Sequence, residues 1–184
     1  DLDAAAERAP ALPSIFEDRA LLLASLGRLE AAIADLGRGL ALAPDDPRLH
    51  LRRAELRARQ RDFDGALADA SRAAALPDAL ALSGALRLEA RDLDGALADF
   101  GRLAGVEPRR GRALLGSARA ALLKGQPDRA LADRRRALEI GRPAERRDAV
   151  EGLAAIPLPA TSGLVASLLS DADEKRLARQ IEEG

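Results

Sequence analysis

Apolar and polar residues follow one another along this chain with the spacing of amphipathic α-helices. In the segment that begins at Gly27, apolar side chains recur at steps of three and four residues, which places them on one face of a helix. These side chains are Leu29, Ala32, Ile33, Leu36 and Leu40. The pattern returns in segments that begin at Arg61, Arg91 and Gly125, at intervals of 34, 30 and 34 residues. A recurrence of this length predicts a repeat protein built from helices.

A short motif recurs inside each of these four helices. It consists of Ala, Ile or Leu, Ala and Asp, with an Arg three residues after the Asp. The acidic and basic positions are Asp35, Asp69, Asp99 and Asp133, followed by Arg38, Arg72, Arg102 and Arg136. Residues one turn apart on a helix can form an ion pair, and they can also contact a neighbouring helix. We interpret the pair as structural, because a binding role would not require it in every repeat.

A further helix is predicted before each of these segments. Ser14 with Glu17 has the pattern of a capping box that opens the first of them. Asp46-Pro47 is an N-cap residue followed by proline at the first helical position, and Pro77 opens the third. The predicted spans are 15–26, 47–60, 77–90 and 111–124. Small residues recur within these helices and within the helices that follow, which predicts close packing of each pair. They are Ala20, Ala54, Gly84 and Ala118, opposite Ala32, Ala66, Ala96 and Ala130.

Helix pairs that repeat about every 34 residues resemble the tetratricopeptide repeat family. The matching features are the small residue in the first helix, Gly27 or Gly125 at the turn, the Ala that opens the second helix, and Pro44 or Pro108 at the end of the repeat. The usual aromatic positions of the family hold Leu, Ala or Arg here, apart from a few Phe. The resemblance implies an all-α fold, a right-handed α-solenoid of antiparallel helix pairs.

The repeat pattern divides the chain into six segments. Residues 1–12 look like the end of a preceding repeat, since Asp1-Leu2 followed by Pro10 matches Asp35-Leu36 followed by Pro44. We therefore expect the natural protein to extend further in the N-terminal direction. The second repeat is four residues short, about one helical turn. The predicted segments are 1–12, repeats at 13–46, 47–76, 77–110 and 111–144, and C-terminal capping helices at 145–184.

Composition argues against several classes of chemistry. The 184 residues carry 29 Lys plus Arg against 30 Asp plus Glu, a net charge of -1, with one His and no Cys. Cysteine chemistry is therefore excluded, and His50 cannot form a histidine metal cluster alone. We interpret His50 as a packed structural side chain. The chain has three Phe and neither Trp nor Tyr, so it lacks platforms for stacking nucleic-acid bases. We predict no catalytic residue, no metal, no cofactor, no nucleic-acid partner and no direct membrane insertion.

The family resemblance implies a concave groove lined by the first helix of each repeat. One face of each helix, taken at steps of three, four and three, gives the candidate lining. It is Ser14, Glu17, Leu21 and Ala24; Arg48, Leu51, Glu55 and Ala58; Asp78, Ala81, Ala85 and Leu88; and Arg112, Leu115, Arg119 and Leu122. The charges in these sets cancel. The last set alternates Arg and Leu, which suits a peptide with a carboxylate and an apolar side chain.

Two other binding modes are weighed against this groove. Some relatives clamp a C-terminal carboxylate of a chaperone with Lys and Asn, but this chain has no Asn, and Lys124 and Lys175 lie off the groove faces. A basic patch is the other candidate. It would combine Arg109, Arg110 and Arg112 with Arg134, Arg135 and Arg136 and with Arg142, Arg146 and Arg147. Neighbouring acidic residues favour an ordinary solvated surface there.

The predicted function is non-catalytic binding of another protein or peptide segment in the groove, as a scaffold or assembly adaptor. One alternative is a regulatory or structural portion of a larger polypeptide whose activity lies in another domain. A further alternative is self-association through an exposed end of the solenoid. The Arg, Ala and Leu bias suggests a bacterium, and the predicted compartment is its cytoplasm or periplasm.

Overall fold

The computed structural model describes residues 12–106 and 110–140, and these residues form α-helices joined by short turns. The chain divides into two compact units between Ala90 and Arg91. The helices of unit 1 are α1 (Pro13–Ser25), α2 (Leu29–Leu42), α3 (Pro47–Arg59), α4 (Phe63–Arg72) and α5 (Pro77–Glu89). Those of unit 2 are α6 (Leu93–Ala104), α7 (Arg110–Leu123) and α8 (Pro127–Ile140). The predicted helices over the described residues are therefore all present.

Within each unit, every helix packs against the next one along the chain. In unit 1 the first helix of one pair also packs against the first helix of the following one, since α3 contacts α5. Leu36 and Leu49 are each 1% exposed and form the centre of the core between α1, α2 and α3. In unit 1 the hairpins α1–α2 and α3–α4 are stacked, and the first completes its core with the second.

The small residues predicted to face one another are buried. Ala20 is 1% exposed, and Ala32, Ala54 and Ala66 are fully buried. Side chains that end at Cβ allow the backbones of two helices to approach closely, and larger residues there would force them apart. The prediction of close hairpin packing is confirmed at these positions.

Aspartate side chains cap the starts of three helices, α3, α4 and α6. The carboxylate of Asp46 accepts a hydrogen bond from the backbone N–H of Arg48 at 2.9 Å, and Asp62 accepts one from Gly65 at 3.0 Å. The capping box at Ser14 and Glu17 is wrong, because α1 begins at Pro13 and its N-cap residue is Leu12, which makes no side-chain cap. Proline is favoured at the first helical position, so the helix begins there and Ser14 lies inside its first turn.

The second repeat is four residues shorter than the others because its second helix, α4, is shorter. Helix α4 has 10 residues, whereas α2 and α8 have 14 each. The chain leaves α4 at Arg72 and turns through Ala73 to Leu76 into α5. The predicted helices within 1–12 and 145–184 lie outside the described residues.

One glycine of unit 2 is required by close packing. Gly116 lies in α7 against the ring of Phe100 from α6, and a Cβ at this position would stand 2.5 Å from Phe100 Cε1. Phe100 is 6% exposed and is enclosed by its surroundings. Gly101 lies on α6 of the same unit, and a Cβ there would meet nothing within 4 Å.

We predict opposite effects for alanine at these two glycines. Gly116→Ala should lower the free energy of unfolding by about 2 kcal/mol, because a ring in a packed core cannot move aside without strain. Gly101→Ala should raise it by about 0.5–1 kcal/mol, since alanine favours the helical backbone and meets open space. Urea titrations followed by circular dichroism measure both. Equal effects of the two substitutions would show that the contact with Phe100 does not limit packing.

Candidate functional site

One buried carboxylate joins the two helices of each hairpin in unit 1. It is Asp35 between α1 and α2, and Asp69 between α3 and α4. Asp35 of α2 is 3% exposed and accepts hydrogen bonds from Nε and Nη2 of Arg19 in α1, at 2.6 and 2.7 Å. Arg38 adds a third at 2.9 Å from its own helix. A guanidinium that donates two parallel hydrogen bonds fixes the orientation of the carboxylate as well as neutralising it. The pair therefore sets how α1 and α2 face each other.

Asp69 repeats this arrangement between α3 and α4. Arg53 donates from Nε and Nη2 at 2.8 and 2.7 Å, and Arg57 donates from Nη1 at 2.7 Å. Asp69 is 2% exposed, and burial by itself would raise the pKa of the carboxyl. Hydrogen bonds from Arg53 and His50, together with the positive charges of Arg53 and Arg57, outweigh burial and hold the pKa of Asp69 below its ordinary 3.8.

His50 completes the contacts of Asp69. Its Nδ1 lies 3.1 Å from Asp69 Oδ1, and its Nε2 lies 2.7 Å from the carbonyl oxygen of Pro44. Each ring nitrogen of His50 therefore has a polar partner within hydrogen-bond distance. At 4% exposure His50 is buried, and the prediction of a packed structural side chain is confirmed.

The motif arginines behave differently from one repeat to the next. Arg38 pairs with Asp35 one turn away, as the spacing indicates. Asp69 is instead contacted by His50, Arg53 and Arg57, all of which lie on α3. The stronger rule is a partner sixteen residues before the acid: Arg19 for Asp35 and Arg53 for Asp69. In unit 2 the position sixteen residues before Asp133 is Ser117, whose hydroxyl donates to the carboxylate at 2.6 Å.

The first helices of unit 1 line an open cavity of about 820 Å³, here called the unit 1 groove. Three helices contribute to it, namely α1, α3 and α5. Most of the lining is aliphatic, with one hydroxyl, one carboxylate and one guanidinium. The lining residues are Leu21, Ala24, Ser25, Glu55, Leu56, Ala58, Arg59 and Leu82. Four of them, Leu21, Ala24, Glu55 and Ala58, stand on the face assigned to the groove from sequence.

Charges in and beside this groove are partly paired. Arg52 Nη1 donates to Oε2 of Glu55 at 3.2 Å, and Arg52 Nε lies 4.0 Å from a carboxylate oxygen of Glu17. Arg48 is bound to Asp46 at 3.3 Å. Arg59 is exposed, and within residues 12–106 and 110–140 it takes part in none of the ion pairs.

Other predicted groove residues lie elsewhere in unit 1. Leu51 is buried at 9% exposure against Ala73 and Ala79, so we assign it to the packing between helices. On α5, Ala81 is half-buried and Ala85 exposed, but Leu82 is the residue of that helix that lines the cavity.

The fourth predicted set lies on α7 in unit 2. Arg112 and Arg119 are exposed, while Leu115 and Leu122 are half-buried. Leu115 packs beside a small core cluster of Leu114 and Ala137. These four residues therefore present an arginine-rich face with partly covered leucines.

Sequence reasoning missed four lining residues of the unit 1 groove: Ser25, Leu56, Arg59 and Leu82. A signal for Leu82 existed in the repeat alignment. The equivalent positions in the two preceding repeats are Asp18 and Arg52, so the third repeat holds a leucine where both preceding repeats hold a charge. An apolar residue at a position that is charged in its neighbours is a candidate contact surface.

The basic patch is only partly within the described residues, since Arg109, Arg142, Arg146 and Arg147 lie outside them. Arg110 donates to the carbonyl of Ala104 at 3.0 Å. Arg134 is half-buried, and burial lowers the pKa of its guanidinium. The described part of the patch is thus not a uniform positive surface.

The described residues contain neither a metal-binding cluster nor a helix that could span a membrane. No three His, Cys, Asp or Glu side chains within this part of the chain are grouped so that they could hold a metal ion. None of the helices of residues 12–106 and 110–140 is both long and apolar enough to cross a membrane.

Stacked helix hairpins at a near-constant repeat define an all-α solenoid of helical repeats. The profile of the tetratricopeptide repeat family matches residues 17–79 and 83–145. The chain belongs to the tetratricopeptide repeat family. Members of this family generally mediate protein–protein interactions and bind peptides, and the fold is generally a non-catalytic module.

Solved structures with this fold include MamA, at 19% identity and a TM-score of 0.70, covering 75% of this chain and 83% of MamA. YrrB, described as a TPR protein with an unusual peptide-binding site, is 17% identical with a TM-score of 0.68, covering 81% and 80%. The first TPR of Spaghetti (RPAP3), bound to the HSP90 peptide SRMEEVD, is 22% identical with a TM-score of 0.57, covering 61% and 93%. No curated protein matches the sequence.

We predict a pH-dependent loss of stability from Asp69. Because its folded-state pKa is lowered, its contribution is fully present above about pH 4 and is lost as pH falls through the folded-state value. Asp69→Asn should cost about 3 kcal/mol at neutral pH, since it breaks a buried network. The difference between parent and variant should shrink below about pH 4 in urea titrations.

Asp64→Asn is the matched control, because Asp64 is an exposed acid on the same helix. It should change stability by less than about 1 kcal/mol. An Asp69→Asn variant whose deficit stays constant down to strongly acidic pH would contradict the assignment.

Proposed function

We propose that this chain is a non-catalytic protein-binding module that holds a segment of a partner protein in the unit 1 groove. The observation that carries the proposal is the open cavity of about 820 Å³ across three first helices. Ligand sites commonly occupy roughly 300–1,000 Å³ and combine an apolar lining with a few polar groups. The groove has this composition, with five aliphatic side chains beside Ser25, Glu55 and Arg59.

The relatives support this role. YrrB carries a peptide-binding site, and the first TPR of Spaghetti is bound to a peptide. We extend the proposal to a scaffold or assembly adaptor, in which the groove binds one partner and other surfaces remain open. The Arg, Ala and Leu bias supports a bacterial source. The cytoplasm or periplasm is the compartment we propose.

Site-specific photo-crosslinking in the source cell tests this function. A photoreactive residue in place of Leu21, which lines the groove and is 47% exposed, should form an adduct with a specific protein. Ala58→Trp should abolish the adduct, because the indole would fill the groove. A photoreactive residue at Ala68, exposed on α4, is the control and should give no such adduct. Adducts that form only from Ala68, or that persist with Ala58→Trp, would contradict groove binding.

Self-association is a second candidate, favoured by an exposed face of α1. Leu22 and Leu26 are 50% and 64% exposed. In the next two repeats the residues equivalent to Leu22 are Leu56 and Leu86, each 8% exposed. A position that is covered in the following repeats and open in α1 is a surface on which another helix can pack.

Light scattering over a range of concentrations tests self-association. The parent should exceed the chain mass of 19.4 kDa as concentration rises, and Leu22→Glu with Leu26→Glu should return it to that mass. The reason is that charged side chains cannot be buried unpaired in an apolar contact. A parent mass fixed at 19.4 kDa would count against this candidate.

A further inference from the structure

The two charged groups that line the unit 1 groove differ in whether they have a partner of opposite charge. Glu55 already forms an ion pair, because Arg52 Nη1 donates a hydrogen bond to its Oε2 at 3.2 Å. Arg52 Nε also points towards Glu17 at 4.0 Å, so the two acids share one guanidinium. Glu55, which lines the groove, and Glu17 are thereby both engaged within the protein.

Arg59 has no such counter-charge. It lines the groove one turn after Glu55 on α3, it is exposed, and no ion pair among the described residues includes it. Its five N–H donors can bind both oxygens of a carboxylate in parallel. The unsatisfied charge of the groove is therefore positive, and the complementary group is an anion.

The other residues that line the groove are mostly aliphatic, so they favour an apolar group next to the anion in the bound segment. Leu56 and Ala58 flank Arg59 on α3, and Leu21 and Leu82 contribute from α1 and α5. Leu21 is 47% exposed, so it has area that an aliphatic side chain can cover. Covering aliphatic surface is favourable in proportion to the area removed from water.

We propose that the partner segment held by this groove carries an acidic residue next to an aliphatic one, with its carboxylate bound by Arg59. This inference rests on the proposed function, since it names the chemistry of the segment in the same groove. A basic segment is disfavoured, because it would approach Arg59 and would have to compete with Arg52 for Glu55. The arrangement differs from a clamp of Lys and Asn, since a single Arg supplies the charge.

Selection from a library of random linear peptides displayed on phage tests the proposal with the full chain. The parent should enrich peptides in which Asp or Glu adjoins Leu, Ile or Val. Arg59→Glu should lower the affinity for the leading peptide about tenfold. This factor corresponds to the loss of one hydrogen bond to a charged group. The variant should itself select Lys or Arg in place of the acid and retain the aliphatic residue.

Arg72→Glu is the matched control, because Arg72 is an exposed arginine of unit 1 that does not line the groove. It should leave both the selected sequences and the affinity unchanged. Circular dichroism and thermal melting should show that all variants fold as the parent does. A variant Arg59→Lys, which keeps the charge and loses the two parallel hydrogen bonds, should lie between parent and Arg59→Glu.

The outcomes separate the inference from the proposed function. Peptides that are lost with Ala58→Trp but show no acidic preference, or withstand Arg59→Glu, overturn the inference and leave groove binding intact. Failure to enrich any peptide, or enrichment that ignores Ala58→Trp, overturns both. An acidic and aliphatic selection that depends on Arg59 and not on Arg72 supports the proposal.

Discussion

The buried carboxylate that links the two helices of a hairpin is the constraint on which the rest of unit 1 depends. Asp35 and Asp69 are nearly inaccessible to solvent, and an unpaired charge there would be prohibitively costly. Each is therefore tied to an arginine sixteen residues earlier by two parallel hydrogen bonds. These bonds have a narrow geometry, so they fix the rotation of one helix against the other more strictly than aliphatic packing does.

That rotation determines which side chains line the groove. A helix turns about 100° per residue, so Glu55, Ala58 and Arg59 lie about 140–240° around α3 from Arg53. The same offsets from Arg19 give Leu21, Ala24 and Ser25 on α1. All six line the cavity, on the side of each first helix opposite its ion pair. The groove surface is thus a geometric consequence of the contact that closes the hairpin.

Periodicity and capping made the helices predictable, because these signals act within a few residues. Asp46 caps α3 as expected, and the small residues near Ala32 and Ala66 are buried as expected. The interhelix partners Arg19 and Arg53 were not predictable from local spacing, because a contact between helices depends on the hairpin that brings them together. Leu82 was missed for a different reason. A face taken at fixed steps selects Ala81 and does not take into account that a leucine side chain is longer than an alanine side chain.

The central claim, that the interhelix carboxylate sets the hairpin, is tested most directly by a double-mutant cycle on Arg19 and Asp35. Arg19→Gln, Asp35→Asn and the double variant would be compared by urea unfolding. We predict a coupling energy of about 2 kcal/mol, within the range for residues that share a hydrogen-bond network. A coupling below about 0.5 kcal/mol, as found for independent sites, would contradict the account.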